Sequence, residues 1–352
     1  MPIRLPDRCE QMQAFLRRVN ARPLLGFFVG TYYPLHRYRG AATLPQGMLS
    51  PQDVSPAAYL ADCDHLHAAH AACPGDLLWT ATAFWGIPWL EAAIGCPVEV
   101  DHVTGSCRSH PPVSADWPTV PRFSPENPWV ARCLEMLRSL SEHAAGRYPL
   151  GVTLMRGVSD LLSALLGVDR LVFAMLDEPA RVHALAEALT EFWIAFAHAQ
   201  LDVIPSFAGG CGSFFYNLWA PGRCVWLQED TAALLSPALY EEFILPCDRR
   251  IASAFDYTFI HLHPARYVPY AHLLESDASV IELHIDKEGP RAKDLLPVYR
   301  HIQKHKPLFV WGDMTSDDLD ILLGSLDPRG LAIQVVVRTP KEAQQVYARY
   351  RL

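Results

Sequence analysis

Apolar and polar positions along this chain alternate between two rhythms. Short apolar runs such as "PLLGFFV" (23–29), "YTFIHL" (257–262), "VIEL" (280–283) and "LAIQVVV" (331–337) have the length and the β-branched or aromatic content of buried strands. Between them lie stretches with apolar residues three and four apart, among them "ENPWVARCLEMLRSLSEHAA" (126–145), "SDLLSALLG" (159–167), "DEPARVHALAEALTEFWIAFAHAQL" (177–201) and "SPALYEEFILPCDRRIASAF" (236–255), which predict helices. An earlier helix is expected in "SPAAYLADCDHLHAAHAA" (55–72), opened by Ser55-Pro56. "YPLGVTLMRG" (148–157) and "CVWLQED" (224–230) are expected as strands.

From residue 224 onward the rhythm is regular. Strands at "CVWLQED", "YTFIHLHP", "SVIELHID", "PLFVWGD" and "GLAIQVVV" are each followed by a helical pattern, the second by "ARYVPYAHLLES" (265–276) and the last by "TPKEAQQVYARYRL" (339–352). In that final helix Thr339, Pro340 and Glu342 stand as cap, first-turn proline and capping-box carboxylate. Repeated βα units with short connections imply a parallel sheet covered by helices. With room for three more units upstream, the expected fold class is α/β, a (β/α)₈ TIM barrel formed by one domain over 1–352. Residues 74–130, rich in Pro, Trp and Gly with one short helix at "PWLEAAIG" (88–95), read as a loop-rich insertion in an elaborated N-terminal region. No GxGxxG or GxxxxGK[ST] follows a strand, which removes the usual phosphate cradles.

Composition narrows the function classes. Half of the 352 residues are apolar and 19% are charged, and the formal net charge of −8 comes without a basic block. A nucleic-acid or anionic-membrane surface therefore has no electrostatic support. Nine cysteines, Cys9, Cys63, Cys73, Cys96, Cys107, Cys133, Cys211, Cys224 and Cys247, include no CxxC pair, and their odd number argues against a disulfide framework. "MPIRLPDRCEQMQAFLRRVN" carries charges throughout and lacks the apolar core of a signal peptide, and no run is long enough to span a bilayer, so a cytoplasmic location is expected.

Candidate chemistry concentrates where strands end. Side chains two apart share a face of a strand, so His261 and His263 of "FIHLHP" lie together, and so do Glu282, His284 and Asp286 of "SVIELHID". In a barrel, the carboxyl ends of the strands build the active site. The same reasoning selects Gln228, Glu229 and Asp230 after "CVWL", Trp311 and Asp313 after "LFV", and Arg156 after "TLM". His-x-His on a strand is a metal half-site that needs a third ligand, for which His284, Glu282 or Asp313 are candidates. The aromatic segments "GTYYPLHRYRG" (30–40), "WTATAFWGIPW" (79–89) and "CGSFFYNLWAPGRC" (211–224) offer Tyr32, Trp85, Tyr216 and Trp219 as substrate-binding groups, alongside Gln228 and Trp311, for a flat or apolar substrate. Cys211 and Cys224 read as structural thiols. His65, His67 and His70 read as one helix face; His67 and His70 have a chelating spacing but no carboxylate partner.

The stretch "LQEDTAALLSPALYEEFILPCDRRI" (227–251) resembles the uroporphyrinogen decarboxylase superfamily, which includes the methylcobalamin:coenzyme M methyltransferases. "GVSDLLSALLGVDRL" (157–171), "HLHP" (261–264), "WGDMTSDDLDILLGS" (311–325) and "RTPKEAQQVY" (338–347) follow in the superfamily's order; the resemblance covers 145–352 and extends loosely to "PWLEAAIGCPVEV" (88–100). It independently implies a TIM barrel. In the decarboxylases an arginine-rich loop after the first strand grips substrate carboxylates, whereas "FFVGTYYPLHRY" (27–38) has tyrosines there, with only Arg37 and Arg39 following. In the methyltransferases His-x-Cys and a distant cysteine bind zinc, whereas here His263 replaces the cysteine and Ile333 or Gln334 stands at the distant position.

The expectation is therefore a divergent enzyme of the methyltransferase branch, performing metal-assisted methyl or group transfer. His261, His263 and His284 would be the ligands of zinc or another divalent metal, and Asp230, Glu282, Arg156 and Asp313 the catalytic groups. The resemblance brings with it a corrinoid carried by a partner protein; a homodimer is the expected assembly. One alternative is a metal-independent decarboxylase or lyase of a small aromatic or heterocyclic acid, with Arg156 holding the carboxylate, Asp230 facing a ring nitrogen and a histidine delivering the proton. Another is a non-catalytic partner of a corrinoid protein.

Overall fold

The computed structural model describes residues 4–113, 116–264 and 268–350. Its strands are β1 (Leu24–Val29), β2 (Gly47–Leu49), β3 (Val98–Asp101), β4 (Ser106–Ser109), β5 (Cys211–Ser213), β6 (Leu218–Ala220), β7 (Cys224–Gln228), β8 (Tyr257–Leu262), β9 (Val280–Leu283), β10 (Leu308–Gly312) and β11 (Leu331–Val337). Six of them form one parallel sheet in the order β1-β11-β10-β9-β8-β7. Nearly every residue in these strands is buried, as expected where both faces are covered. Helices Leu245–Ser253, Tyr270–Leu273, Ala292–His305, Ser316–Ser325 and Pro340–Tyr350 follow β7 to β11 in turn. The fold is thus mixed α/β with a parallel central sheet, in line with the alternating pattern.

Two irregular segments continue the sheet from its edges. Residue Arg156 bridges in parallel to Gln228 of β7, and Leu150 bridges to Ala81. On the far side Asp76 N–H donates to the Leu25 carbonyl at 2.8 Å. The parallel segments therefore follow the ring order β1, 76–83, 149–156, β7 and on to β11, with six regular strands and two irregular staves. Buried side chains take over the missing ladder bonds. His70 Nε2 accepts from Val29 N–H at 3.1 Å, and Gln200 Oε1 accepts from Thr153 N–H at 2.9 Å. This is why "YPLGVTLMRG", expected as a strand, forms only isolated bridges. Part of 74–130 thus lies in the ring, while its remainder supplies the helix Trp89–Ala93 and the strands β3 and β4, of which β3 pairs with both β2 and β4.

Helix details also follow from sequence. Pro246 removes a backbone donor, and the turn before it, Tyr240–Ile244, widens to π geometry ahead of the regular helix Leu245–Ser253. Thr339 Oγ1 accepts from Glu342 N–H at 3.3 Å, and the Glu342 carboxylate accepts from Arg338 N–H at 2.8 Å, so the expected cap forms with a one-residue shift. The helix Val168–Asp177, which the periodicity did not separate from its neighbours, begins directly after Gly167, whose φ of +77° ends the preceding helix. Residues 265–267 and 351–352 of two expected helices lie outside the described residues. Among the described residues, no helix is long and apolar enough to cross a membrane. All nine cysteines are buried and free.

The segment "CGSFFYNLWAPGRC" folds as the β5–β6 hairpin and enters the ring. Phe215 and Asn217 adopt positive φ of 68° and 55° at its tip. Asn217 Nδ2 donates to Gln334 Oε1 at 2.7 Å, and Gln334 Nε2 donates back to the Phe215 carbonyl at 2.6 Å. Tyr216 packs 4.7 Å from Phe309, centroid to centroid, and Phe215 packs 4.6 Å from Trp311. The hairpin thus fills the interior and leaves a site only above it.

Asp76 holds the seam between β1 and the first irregular stave. Its fully buried carboxylate takes Arg22 at 2.6 and 2.8 Å and Leu25 N–H at 3.0 Å. Close approach across this seam is possible because Gly26 faces Leu77: a Cβ on Gly26 would lie 2.3 Å from a Leu77 methyl. Replacing Asp76 with Ala leaves Arg22 and Leu25 N–H unpaired and is expected to lower the unfolding free energy by about 3 kcal/mol. Urea denaturation reads this directly, and a loss under about 1 kcal/mol would show that the seam does not depend on the pair.

Candidate active site

Strand register brings the polar residues together. Gln228 of β7 aligns with His261 of β8, which aligns with Glu282 of β9. With a side-chain period of two, His263, His284 and Asp286 stand above this row, toward the carboxyl ends. Glu282 has no solvent exposure, and His261 and His284 are buried.

Each histidine of the His-x-His pair is held from behind by a carboxylate. His261 Nδ1 hydrogen-bonds to Glu282 Oε2. His263 Nδ1 lies 2.9 and 3.0 Å from the two Asp286 oxygens. Both Nδ1 atoms therefore carry protons donated to carboxylates, and the two Nε2 atoms face each other at 3.0 Å. Asp230 completes the group: its Oδ2 takes a hydrogen bond from Gln228 Nε2, while its buried Oδ1 has no hydrogen-bond partner and lies 3.7 Å from His263 Nε2. Asp160 fixes the backbone here, accepting from Asp230 N–H at 3.2 Å and from Thr231 N–H at 2.8 Å.

The charges follow from these contacts. Burial alone pushes the Glu282 carboxyl up, but the His261 and His284 rings outweigh it and hold the group below its ordinary value. Asp286 is likewise held low, by the His263 bond against burial. For His263, burial favours the neutral ring, yet the Asp286 hydrogen bond and the charges of Asp230, Asp286 and Glu282 prevail and raise it to about 9. The row is an ordered hydrogen-bond chain: His263 Nδ1 bonds to Asp286, the Nε2 atoms of His263 and His261 meet, and His261 Nδ1 bonds to Glu282.

The donor set also fits a metal ion. Two groups have ligand atoms close enough to share a cation, Asp230/His261/His263 and His261/Glu282/His284. The first has converging Nε2 atoms, an orphaned carboxylate oxygen and both imidazoles oriented from behind. In the second, Glu282 already serves His261, and His284 Nδ1 stands 3.4 Å from its other oxygen. His284 thus connects to His261 through Glu282, while Asp230 stands beside the His261/His263 pair.

Above the row is a cavity of about 280 Å3 lined by Tyr32, Phe215, Trp226, Gln228, His261, His263, His284, Asp286, Trp311 and Asp313. Phe215 stacks between Phe28 and Trp226 at 6.0 and 5.4 Å, and Trp311 closes one side, 5.0 Å from His284. Among the described residues, Tyr32 Oη and Trp311 Nε1 are buried donors without hydrogen-bond partners, while the Trp226 indole is directed to the Tyr216 hydroxyl.

The sequence-selected residues separate into groups. Asp230, Glu282, Gln228, His261, His263, His284, Trp311, Asp313 and Tyr32 converge on this region. Tyr216 lies beneath it, its hydroxyl 3.4 Å from Glu282. Trp85 packs against Phe214 and Phe215 behind the cavity wall. Trp219 lies elsewhere, donating its indole N–H to the Phe207 carbonyl at 2.7 Å beside the first helix. Arg156 stands beside Gln228 with its guanidinium 3.3 Å from the buried carboxylate of Glu91. Glu229 points outward, to Ser159.

The uroporphyrinogen decarboxylase (URO-D) family profile matches residues 80–206. A solved methyltransferase from Methanosarcina mazei superposes on this fold with a TM-score of 0.62, covering 98% of this chain and 99% of that one at 15% identity. Residues 80–206 thus resemble the uroporphyrinogen decarboxylase family, and the fold as a whole resembles that of the methyltransferase. No curated protein sequence matches it significantly. His263 stands where the methyltransferase branch was expected to offer one thiolate, and Ile333 or Gln334 where it was expected to offer the other.

Three contributors escaped the sequence reading. Trp226 was legible, because it shares a strand face with Gln228 and Asp230. Asp286 was placed on the right face, but its hold on His263 depends on how the chain turns after β9. Phe215 had no signal beyond an aromatic-rich hairpin.

A pH dependence follows. A group whose folded value is raised contributes stability that is fully present below its unfolded value near 6.5 and is lost as pH rises through about 9. Metal-free protein should therefore lose stability between those limits, the His263 ring should titrate near 9 by NMR, and His263→Ala should flatten that part of the profile. A His263 titration at or below 7 would contradict the assignment.

Proposed function

We propose that this protein carries out metal-assisted methyl or group transfer, with Asp230, His261 and His263 as the metal ligands. The observation that supports this most is the convergence of two Nε2 atoms, each with its Nδ1 held by a carboxylate, on an unpartnered Asp230 oxygen. When bound, a divalent ion supplies Lewis acidity that lowers the pKa of an acceptor placed on it. Two nitrogens and an oxygen form a harder set than thiolates and suit an oxygen-bearing acceptor, with zinc as one fitting ion among several.

The chain's own residues do the remaining work. Glu282 and Asp286 keep both imidazoles in the tautomer that presents Nε2. Gln228 and Asp160 hold Asp230 in place. Phe215, Trp226 and Trp311 exclude water from the cavity, and the unpartnered donors of Tyr32 and Trp311 orient an acceptor oxygen or its leaving partner. Asp313, on the rim, is placed to exchange protons with solvent. A methyl group would arrive from a corrinoid on a partner protein. The decarboxylase reading has weaker support, because Arg156, its carboxylate anchor, already faces Glu91.

Elemental analysis after non-chelating purification is expected to give close to one divalent ion per chain. Asp230→Asn and His263→Ala should each weaken its retention by about 10- to 100-fold while the far-UV circular dichroism is unchanged. Metal-free protein that keeps full turnover would overturn the reading and favour the decarboxylase.

A further inference from the structure

A second cavity, of about 230 Å3, lies between the first helix, the helix Leu60–Ala71 and the starts of the two irregular staves. It shares no lining residue with the histidine site. Leu77–Trp79 and Arg147–Pro149, which line it, precede the Ala81–Leu150 bridge and so stand toward the amino-terminal ends of the parallel segments. The His-x-x-His pair of the sequence, His67 and His70, reaches this cavity and not the metal row.

Its walls are rings. His67, Trp79 and Tyr148 pack against one another as one aromatic wall, with centroid separations of 4.8 Å (His67–Tyr148), 5.1 Å (Trp79–Tyr148) and 5.9 Å (His67–Trp79). His70 is unavailable for metal binding, because its Nδ1 is bonded to the Leu66 carbonyl at 2.6 Å and its Nε2 to Val29 N–H. A His67/His70 chelate is thereby excluded.

The charges are unbalanced. Arg147 is satisfied by Asp64 at 2.8 Å and by two backbone carbonyls. Arg8 is not: among the described residues its only hydrogen bond is a long one, 3.4 Å, to the Leu77 carbonyl, and its Nε is buried without a partner. The nearby Asp76 carboxylate is consumed by Arg22 and Leu25 N–H. The Tyr148 hydroxyl, on a residue 2% exposed, also has no partner. No carboxylate lines the cavity. A half-buried guanidinium and a buried hydroxyl facing one ring-walled space lack an acceptor, and an uncompensated polar group of this kind is costly unless something supplies one.

We propose that this cavity is a binding site for a small planar anion, a single aromatic ring bearing a carboxylate. The carboxylate would take Arg8 and the Tyr148 hydroxyl, and the ring would lie against the wall formed by His67, Trp79 and Tyr148. A volume just below the usual 300–1,000 Å3 of ligand pockets selects one ring and excludes nucleotides and fused-ring cofactors.

Calorimetric titration of the full-length protein with sodium benzoate tests this. One saturable site is expected, with benzyl alcohol, the uncharged counterpart, binding at least about tenfold more weakly. Arg8→Leu should weaken benzoate by about tenfold or more, and Tyr148→Phe, which removes a single hydroxyl and preserves the fold, by a smaller factor. His263→Ala should leave it unchanged. The proposal fails if wild type shows no saturable binding, if both Arg8→Leu and Tyr148→Phe bind as wild type does, or if His263→Ala abolishes binding and so moves the ligand to the other site.

Discussion

One carboxylate with no exposure to solvent, Glu282, sets the arrangement at the centre of this molecule. An ion so deeply buried persists only where its partners are fixed, and here they are His261, His284 and the Tyr216 hydroxyl. Because Glu282 takes the Nδ1 proton of His261, that ring presents Nε2 to the cavity. His263 and Asp230 then face a nitrogen of known orientation. The β5–β6 hairpin is part of the same constraint, since its tip delivers Tyr216 to Glu282 and seals the site from below.

The two histidines share a design at different depths. His261 is backed by a wholly buried carboxylate and His263 by the half-exposed Asp286. The deeper pair supplies rigidity and the shallower one supplies the exchangeable proton. In the proposed metal site a cation and the His263 Nε2 proton would compete for the same space between His261, His263 and Asp230, which would link metal binding to protonation. This competition would let one set of residues be ordered both with and without an ion.

Much of this was legible along the chain because it depends on period. The two-residue repeat put His261 with His263 and Glu282 with His284 and Asp286, and the βα alternation placed all of them at strand ends. What escaped depends on contacts between segments distant in sequence. The strand expected at 148–157 is irregular because Gln200, on a helix some fifty residues away, takes the Thr153 N–H. The first irregular stave was hidden in 74–130 because His70 and Asp76 replace ladder bonds that a strand pattern assumes. Trp219 was grouped with Tyr216 by proximity in sequence, but a hairpin sends its tip and its base to opposite ends of the ring. The setting of Asp230 beside the His-x-His pair rests on Gln228 and Asp160 aiming its carboxylate, and that relation is not a spacing.

The account depends on where a cation sits. Anomalous diffraction at the metal absorption edge, on crystals of protein loaded with zinc, locates it directly. The expected result is one ion bonded to His261 Nε2, His263 Nε2 and an Asp230 oxygen, with Glu282 and Asp286 outside the coordination sphere and still bonded to the two Nδ1 atoms. An ion held by Glu282 and His284 with His263 turned away, or no ion in this row at saturating zinc, would contradict it.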